Sequence, residues 1–309
     1  MILNRLYELA ERKKLTADPA FETQAVPFVI QLDVDGKFLG IDGEKPRPPK
    51  KGEERKERKL SIPRPHGSTA SQGFARYFVD TITRVLPVVF EKKDEPEDER
   101  KARILKEFRS RKTFWEQIDK AADATNDDAL RAVQAFGRRL ADDKPFADEV
   151  EAAVKAKEAT GAERVSFAFH PDGGRPLLDR PAVRAWYAGF FGAFTGAKQT
   201  AGPVGFCTIT GKVGPLPTTH TMALSVPGGL PTGAKIVSFD KPAFGHYGLD
   251  GAANAAIGYD AADGYARGFQ WLRTERGHSF VVGGTMFLFW TREEVDLGDI
   301  NQLNQPVAD

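Results

Sequence analysis

The chain has 309 residues, of which 41% are hydrophobic and 28% charged, and its formal net charge is +1. This length and composition are typical of a soluble globular protein with two domains or one large one. A single cysteine excludes an internal disulfide and favours a reducing, cytoplasmic setting, and no stretch is suitable for a signal peptide or a membrane span, so no membrane partner is expected.

The first part of the chain predicts a helix, a hairpin and a basic loop. An amphipathic helix over residues 2–14 would bury Leu3, Leu6, Leu9 and Ala10. Asp35-Gly36 lies between two apolar runs, which is a strong hairpin signal. Residues 45–59 hold eight basic and three acidic side chains without apolar periodicity, so we expect an extended loop there. Small polar residues continue this loop, and a helix is expected again over residues 74–86.

Helices are expected to dominate residues 94–161. An acidic start at residues 94–99 precedes residues 100–112, which hold seven basic side chains and one acidic side chain, as the helix dipole favours. Thr125 and Asp128 resemble a capping box, and a third helix over residues 145–159 would end before Gly161. Both basic blocks suit a polyanion such as nucleic acid, although a solvated loop and a solvated helix face explain the charge equally well.

The sequence pattern changes after residue 163. Residues 163–170 alternate as in a strand, and a helix with core-facing aromatic side chains is expected from Pro181. Lys212 is the only charged residue between positions 199 and 234, where glycine and proline are so frequent that we expect an ordered but irregular segment. Strands are expected over residues 234–239 and 279–291.

These elements together predict an α+β fold. An N-terminal hairpin and helical region over residues 1–162 would carry the basic loop. An irregular, mostly antiparallel β-rich region over residues 163–309 would carry the segment rich in glycine and proline.

Residues 205–220, GFCTITGKVGPLPTTH, combine the single cysteine with a histidine. Cys207 and His220 would form the nucleophile and base of a cysteine hydrolase if they met across a turn. The apolar neighbours of Cys207 instead favour a buried position in a strand. The scattered histidines do not supply the spaced ligand pairs of a zinc site, and no nucleotide-binding motif is present, so no metal and no cofactor are expected.

The order of short motifs is more specific than the composition. CTITGKVGPLPTTH is followed by GGLPTGAKIVSFDKPAFGHYG, NAAIG and GTMFLFW, and the N-terminal part contains VPFVIQLDVDGKFLG. This order resembles the large subunit of the type I-C CRISPR surveillance complex (Cascade) over most of the chain. The chain departs from that family at Met222, Leu224, Asp240 and Ala256. Family members are longer, so the resemblance implies an N-terminal portion or a naturally shortened form without the C-terminal helical domain.

The resemblance implies a non-enzymatic DNA-recognition subunit. In such complexes guide RNA pairing reads the target, whereas the protein reads a short neighbouring motif, the PAM, and helps to open the duplex. The residues expected to bind DNA are Lys50, Lys51, Arg55, Lys56, Arg58, Lys59, Arg64, Ser68, Thr69, Gln72, Lys212 and Asn254. Docking to the guide RNA or to other subunits is expected of His220, Lys235 and Ser238.

The same resemblance implies the partners of the chain. They are double-stranded target DNA, the 5′ end of the guide RNA, the Cascade backbone subunits and a helicase-nuclease that is recruited after target opening. Two alternatives stay open at this point: a cysteine hydrolase that uses Cys207 and His220, and a scaffold subunit that does not touch target DNA.

Overall fold

The computed structural model describes residues 2–47, 58–65, 75–199, 203–217 and 219–292, the last range without 221, 223, 225, 230–232, 240, 246–248, 250 and 276. The chain forms two compact units, one of Pro19–Phe194 and one that combines Met1–Asp18 with Thr195–Asp309. The predicted division after residue 162 does not coincide with these units, because the strand that follows it pairs inside the first unit. No helix in the described ranges is long and apolar enough to cross a bilayer.

Seven helices and eleven strands are described. The helices are α1 (Ile2–Arg12), α2 (Ile82–Val85), α3 (Glu97–Thr125), α4 (Asp128–Asp142), α5 (Lys144–Ala156), α6 (Pro181–Gln199) and α7 (Tyr259–Thr274). The strands are β1 (Phe21–Ala25), β2 (Phe28–Leu32), β3 (Phe38–Asp42), β4 (Lys59–Pro63), β5 (Asp80–Thr81), β6 (Arg164–Phe169), β7 (Arg175–Pro176), β8 (Val204–Phe206), β9 (Val213–Pro215), β10 (Ser279–Val282) and β11 (Thr285–Leu288). These helices and mostly antiparallel strand pairs confirm the predicted α+β class.

A five-stranded sheet forms the centre of the unit Pro19–Phe194. Its order is β3-β2-β6-β5, and β7 pairs with β6. β2 and β3 form the predicted hairpin, in which Gly36 has a φ of +76°. β6 runs parallel to β2, and every residue of β6 after Arg164 is buried, as expected for a strand covered on both faces. A separate ribbon pairs β1 with β4, so that Phe21 lies opposite Pro63.

Two helix predictions in this unit are wrong in their details. The N-cap of α4 is Asp127, whose Oδ1 accepts hydrogen bonds from the main-chain N–H groups of Ala129 and Leu130. Thr125 does not cap α4, because it is still part of α3 and its hydroxyl donates to the Ala121 carbonyl. The helix expected over residues 74–86 shrinks to α2, because β5 pairs with β6 immediately before it.

The second unit is organised around α1 and α7. The predicted apolar face of α1 is confirmed, since Leu3, Leu6, Leu9 and Ala10 are all buried. The backbones of the two helices approach closely, because a Cβ added to Gly268 would lie 2.3 Å from the Leu6 carbonyl oxygen. The strand expected over residues 279–291 forms two strands, β10 and β11, which pair as an antiparallel hairpin. The strand expected over residues 234–239 is wrong, because within the described residues only Ala234 of this stretch pairs, in an isolated bridge with Leu224.

Candidate nucleic-acid interface

β4 separates the two loops that the sequence predicts to contact DNA. Four predicted contacts, Lys50, Lys51, Arg55 and Lys56, precede β4 and lie outside the described residues, as do Ser68, Thr69 and Gln72 after it. Arg58 and Arg64 mark the points where these loops meet the strand. Arg58 and Arg64 are six positions apart along this extended stretch, a distance of about 20 Å, so they stand at opposite ends of β4.

Arg58 and Lys59 are exposed where the basic loop enters β4. Arg58 donates to the Asp42 carboxylate at 2.5 Å, and this hydrogen bond lowers the pKa of Asp42 although partial burial opposes it. The side chains of Arg58 and Asp42 are 35% and 56% exposed. Exposed ion pairs contribute only about 0–1 kcal/mol, so Arg58 can exchange Asp42 for a phosphate at little cost.

Arg64 is held more firmly than Arg58 at the other end of β4. Its guanidinium donates to the Pro19 carbonyl at 3.1 Å and lies over the Phe191 ring at 5.7 Å from its centroid. The Tyr187 hydroxyl donates to the Arg64 carbonyl, and burial of Tyr187 raises the pKa of that hydroxyl. Arg64 is therefore a half-buried, positioned cation.

In the other unit, Lys212 is presented by a tight turn between β8 and β9. The Cys207 N–H donates to the Lys212 carbonyl at 2.8 Å, and the Gly211 N–H donates to the Cys207 carbonyl at 2.9 Å. Gly211 has a φ of +72°, a backbone conformation that glycine adopts without strain. The side chain of Lys212 is exposed, so backbone geometry fixes its position while its charge stays available.

Cys207 lies directly after β8 and is 3% exposed. Burial raises the pKa of its thiol, but hydrogen bonds from Thr210 and from the main-chain N–H groups of Gly258, Thr210 and Ile209 outweigh it, so the pKa is lowered. Cys207 also lines a cleft of about 200 Å³ together with Tyr7, Lys212 and Asp260, among others. No histidine of the described residues lines this cleft.

His220 is 2% exposed, and its ring is directed toward α7. Its Nδ1 lies 2.5 Å from the Tyr265 hydroxyl, whereas its Nε2 is buried without a hydrogen-bond partner in the described part of the chain. Burial lowers the pKa of His220, and the charge of Lys235 lowers it further. Burial also raises the pKa of Tyr265 to about 12. The neutral imidazole of His220 therefore holds this position of the chain against α7.

Cys207 and His220 have different polar partners. Among the described residues, no hydrogen bond joins the Cys207 thiol to the His220 ring, whose polar partner is Tyr265. The prediction that His220 docks RNA or another subunit conflicts with its burial, because the ring has no open surface. Sequence analysis assigned no role to Tyr265, although its position on a helix of buried small residues was readable from the spacing of Ala261, Ala262 and Ala266.

The remaining predicted contacts lie elsewhere in the same unit. Asn254 donates its side-chain amide to the carbonyls of Leu249 and Gly251, so that amide stabilises a turn. Ser238 is exposed and Lys235 is half-buried. No group of three or more His, Cys, Asp or Glu side chains in the described ranges is arranged to hold a metal ion.

Comparison with known proteins identifies the family of this chain. Residues 3–307 match the family described as CRISPR-associated protein Cas_Csd1. The chain belongs to the Csd1 family. No curated protein matches the sequence. Family membership agrees with the CRISPR part of the resemblance drawn from the motif order, and the Csd1 match includes both compact units.

Proposed function

We propose that this Csd1-family chain is a non-catalytic DNA-recognition subunit of an RNA-guided CRISPR interference complex. It acts as the large subunit of a type I-C complex, binds the PAM-side duplex and helps to open the target. Its partners are double-stranded target DNA, the 5′ end of the guide RNA, the backbone subunits and the helicase-nuclease. The family match over residues 3–307 is the observation that carries this proposal.

The cations at the two ends of β4 support the proposal. Arg58 and Lys59 stand exposed at one end of β4 and bind phosphates through charge, with a salt-dependent free energy. Arg64 is fixed at the other end of β4. Ser68, Thr69 and Gln72 follow it in the sequence, outside the described residues, and polar side chains of these types can contact base edges.

The test uses the assembled complex. Lys59→Ala should weaken binding of PAM-bearing duplex on every flanking sequence and lower the slope of log affinity against log salt by about 0.9, the value for one lost phosphate contact. Lys37→Ala, which removes an exposed cation after the β2–β3 turn, is the matched control. It should leave the affinity and the salt slope unchanged. Gln72→Ala should instead reduce discrimination between correct and mismatched PAM.

The outcome that would contradict the proposal is an unchanged affinity and salt slope in Lys59→Ala together with intact PAM discrimination in Gln72→Ala. The non-catalytic assignment has its own test. Cys207→Ser should retain target binding and interference, because no histidine of the described residues hydrogen-bonds the thiol. Loss of activity in Cys207→Ser with normal assembly would favour the hydrolase instead.

A further inference from the structure

The first half of α3 contributes no buried residue to the core of its unit. The buried residues of α3 begin at Ser110, and none of the thirteen residues Glu97–Arg109 is buried. At 1.5 Å per residue this part is about 20 Å long. A helix of this length without an apolar buried face is not stabilised by packing, so other contacts must hold it in place.

One face of this part of α3 is braced by ion pairs. Arg103 donates to the Glu95 carboxylate at 2.7 and 2.6 Å and to the Phe90 carbonyl at 3.2 Å. The hydrogen bond with Glu95 is the main cause of a raised pKa at Arg103. Arg100 pairs with Glu91 at 2.8 Å. These contacts tie α3 to the preceding segment and fix the direction in which its opposite face points.

The opposite face is cationic and partly apolar. At 3.6 residues per turn, seven exposed residues spread over roughly half of the helix surface on the side turned away from Arg100. They are Lys101, Ala102, Leu105, Lys106, Phe108, Arg109 and Lys112, which carry four positive charges, and the exposed carboxylates of Asp98 and Glu116 flank them on the same side. Leu105 and Phe108 are 49% and 58% exposed. We call these seven residues the α3 face.

Two of the four cations of the α3 face have exposed carboxylate partners, and two have none among the described residues. Lys101 and Lys112 lie 3.5 and 3.9 Å from the exposed carboxylates of Glu97 and Glu116, pairs that contribute little in water. Lys106 and Arg109 form no ion pair with the described residues. Because lysine is depleted from protein–protein interfaces, this composition favours a polyanion over a protein surface.

We propose that the α3 face binds the sugar-phosphate backbone of a nucleic acid without sequence preference. Lys101, Lys106, Arg109 and Lys112 contact phosphates, while Leu105 and Phe108 pack on the sugars. The face extends about 16 Å from Lys101 to Lys112, along which a duplex carries about ten phosphate charges. The inference rests on the proposed function only for the class of partner, since the α3 face contains none of the residues to which that proposal assigns DNA contacts.

The experiment measures binding of the full chain to labelled duplex DNA, single-stranded DNA and single-stranded RNA, all without a PAM. The double variant Lys106→Ala/Arg109→Ala should bind more weakly and lower the salt slope by about 1.8 on duplex or about 1.4 on single strands. The probe with the largest loss identifies the nucleic acid. Arg131→Ala/Arg138→Ala removes two exposed cations from α4 and should leave the slope unchanged.

An unchanged slope on all three probes, or an equal loss in the α4 control, would overturn the inference. The variant Leu105→Ser/Phe108→Ser tests the protein alternative. If it blocks assembly with other subunits while Lys106→Ala/Arg109→Ala keeps the full slope, the α3 face docks a protein. The two proposals can fail separately. If the α3 variants lose nucleic-acid binding but the assembled complex shows no PAM discrimination, this inference is supported and the proposed function is refuted.

Discussion

The two compact units bury their side chains in different ways. The unit Pro19–Phe194 surrounds its sheet with large aromatic side chains, and Phe114, Phe136, Phe167 and Tyr187 are all fully buried. The core of the other unit contains many small residues and depends on close contact of two helices. The first unit is therefore stabilised mainly by the volume of its apolar side chains, and the second by backbone proximity and a few buried polar ties.

The largest effect should follow from removing one aromatic ring from the first unit. Phe136 is 0% exposed and contacts Phe146 and Phe167 with ring centroids 5.6 and 6.0 Å apart. Phe136→Ala should lower the free energy of unfolding by about 3–5 kcal/mol, because it leaves a cavity. Hydrogen exchange should show lost protection in β2 and β6.

The control for this prediction is Val89→Ala, at an exposed apolar side chain of the same unit. This substitution should change the free energy of unfolding by about 0.5 kcal/mol or less. Equal loss of protection in α7 of Phe136→Ala would show that the two units unfold as one, and the contrast between them would then not extend to their stability.

A matched pair of glycine substitutions tests the role of backbone proximity. Gly268→Ala places a Cβ against the Leu6 carbonyl oxygen, so α1 and α7 must move apart, at a cost of about 1–3 kcal/mol. Gly189→Ala changes a glycine inside α6 with nothing within 4 Å of the new Cβ, and it should stabilise by up to about 1 kcal/mol. Urea unfolding of both variants measures the difference. If both substitutions changed the free energy of unfolding in the same direction, the contrast between the two units would be contradicted.

The smallest effect concerns the buried histidine of the second unit. The folded-state pKa of His220 is lowered from 6.5 by burial, so the unfolded chain binds a proton more readily. The free energy of unfolding should therefore increase with pH between the folded-state pKa of His220 and about 6.5, and decrease as the pH falls through this range. The slope should be at most about 1.4 kcal/mol per pH unit.

His220→Gln should remove this pH dependence in urea unfolding followed on either side of pH 6.5. His170→Gln, which removes an exposed histidine from the other unit, is the control and should retain it. If the pH dependence of stability persisted in His220→Gln, another titrating group would cause it, and burial of His220 would not explain the stability of this unit.

Local patterns predicted several of the regular elements. The apolar spacing of α1, the Asp35-Gly36 hairpin and the acidic start of α3 all depend on neighbours in sequence, and each is confirmed. The candidate site was less predictable. Sequence analysis paired Cys207 with His220 as a possible base, whereas the partner of His220 is Tyr265, forty-five positions away on α7. Such a contact leaves no short-range signal.

The sequence by itself determined the α+β class, the basic blocks and, through the order of its motifs, the CRISPR family, because these depend on local spacing and residue type. Only the tertiary structure decided which residues are buried together. It places β6 beside β2 within the first unit, encloses His220 against α7, and leaves one face of α3 free while bracing the other. Long-range packing selects among such arrangements by the apolar surface and polar contacts they bury, and these quantities are not encoded in any short stretch of the chain.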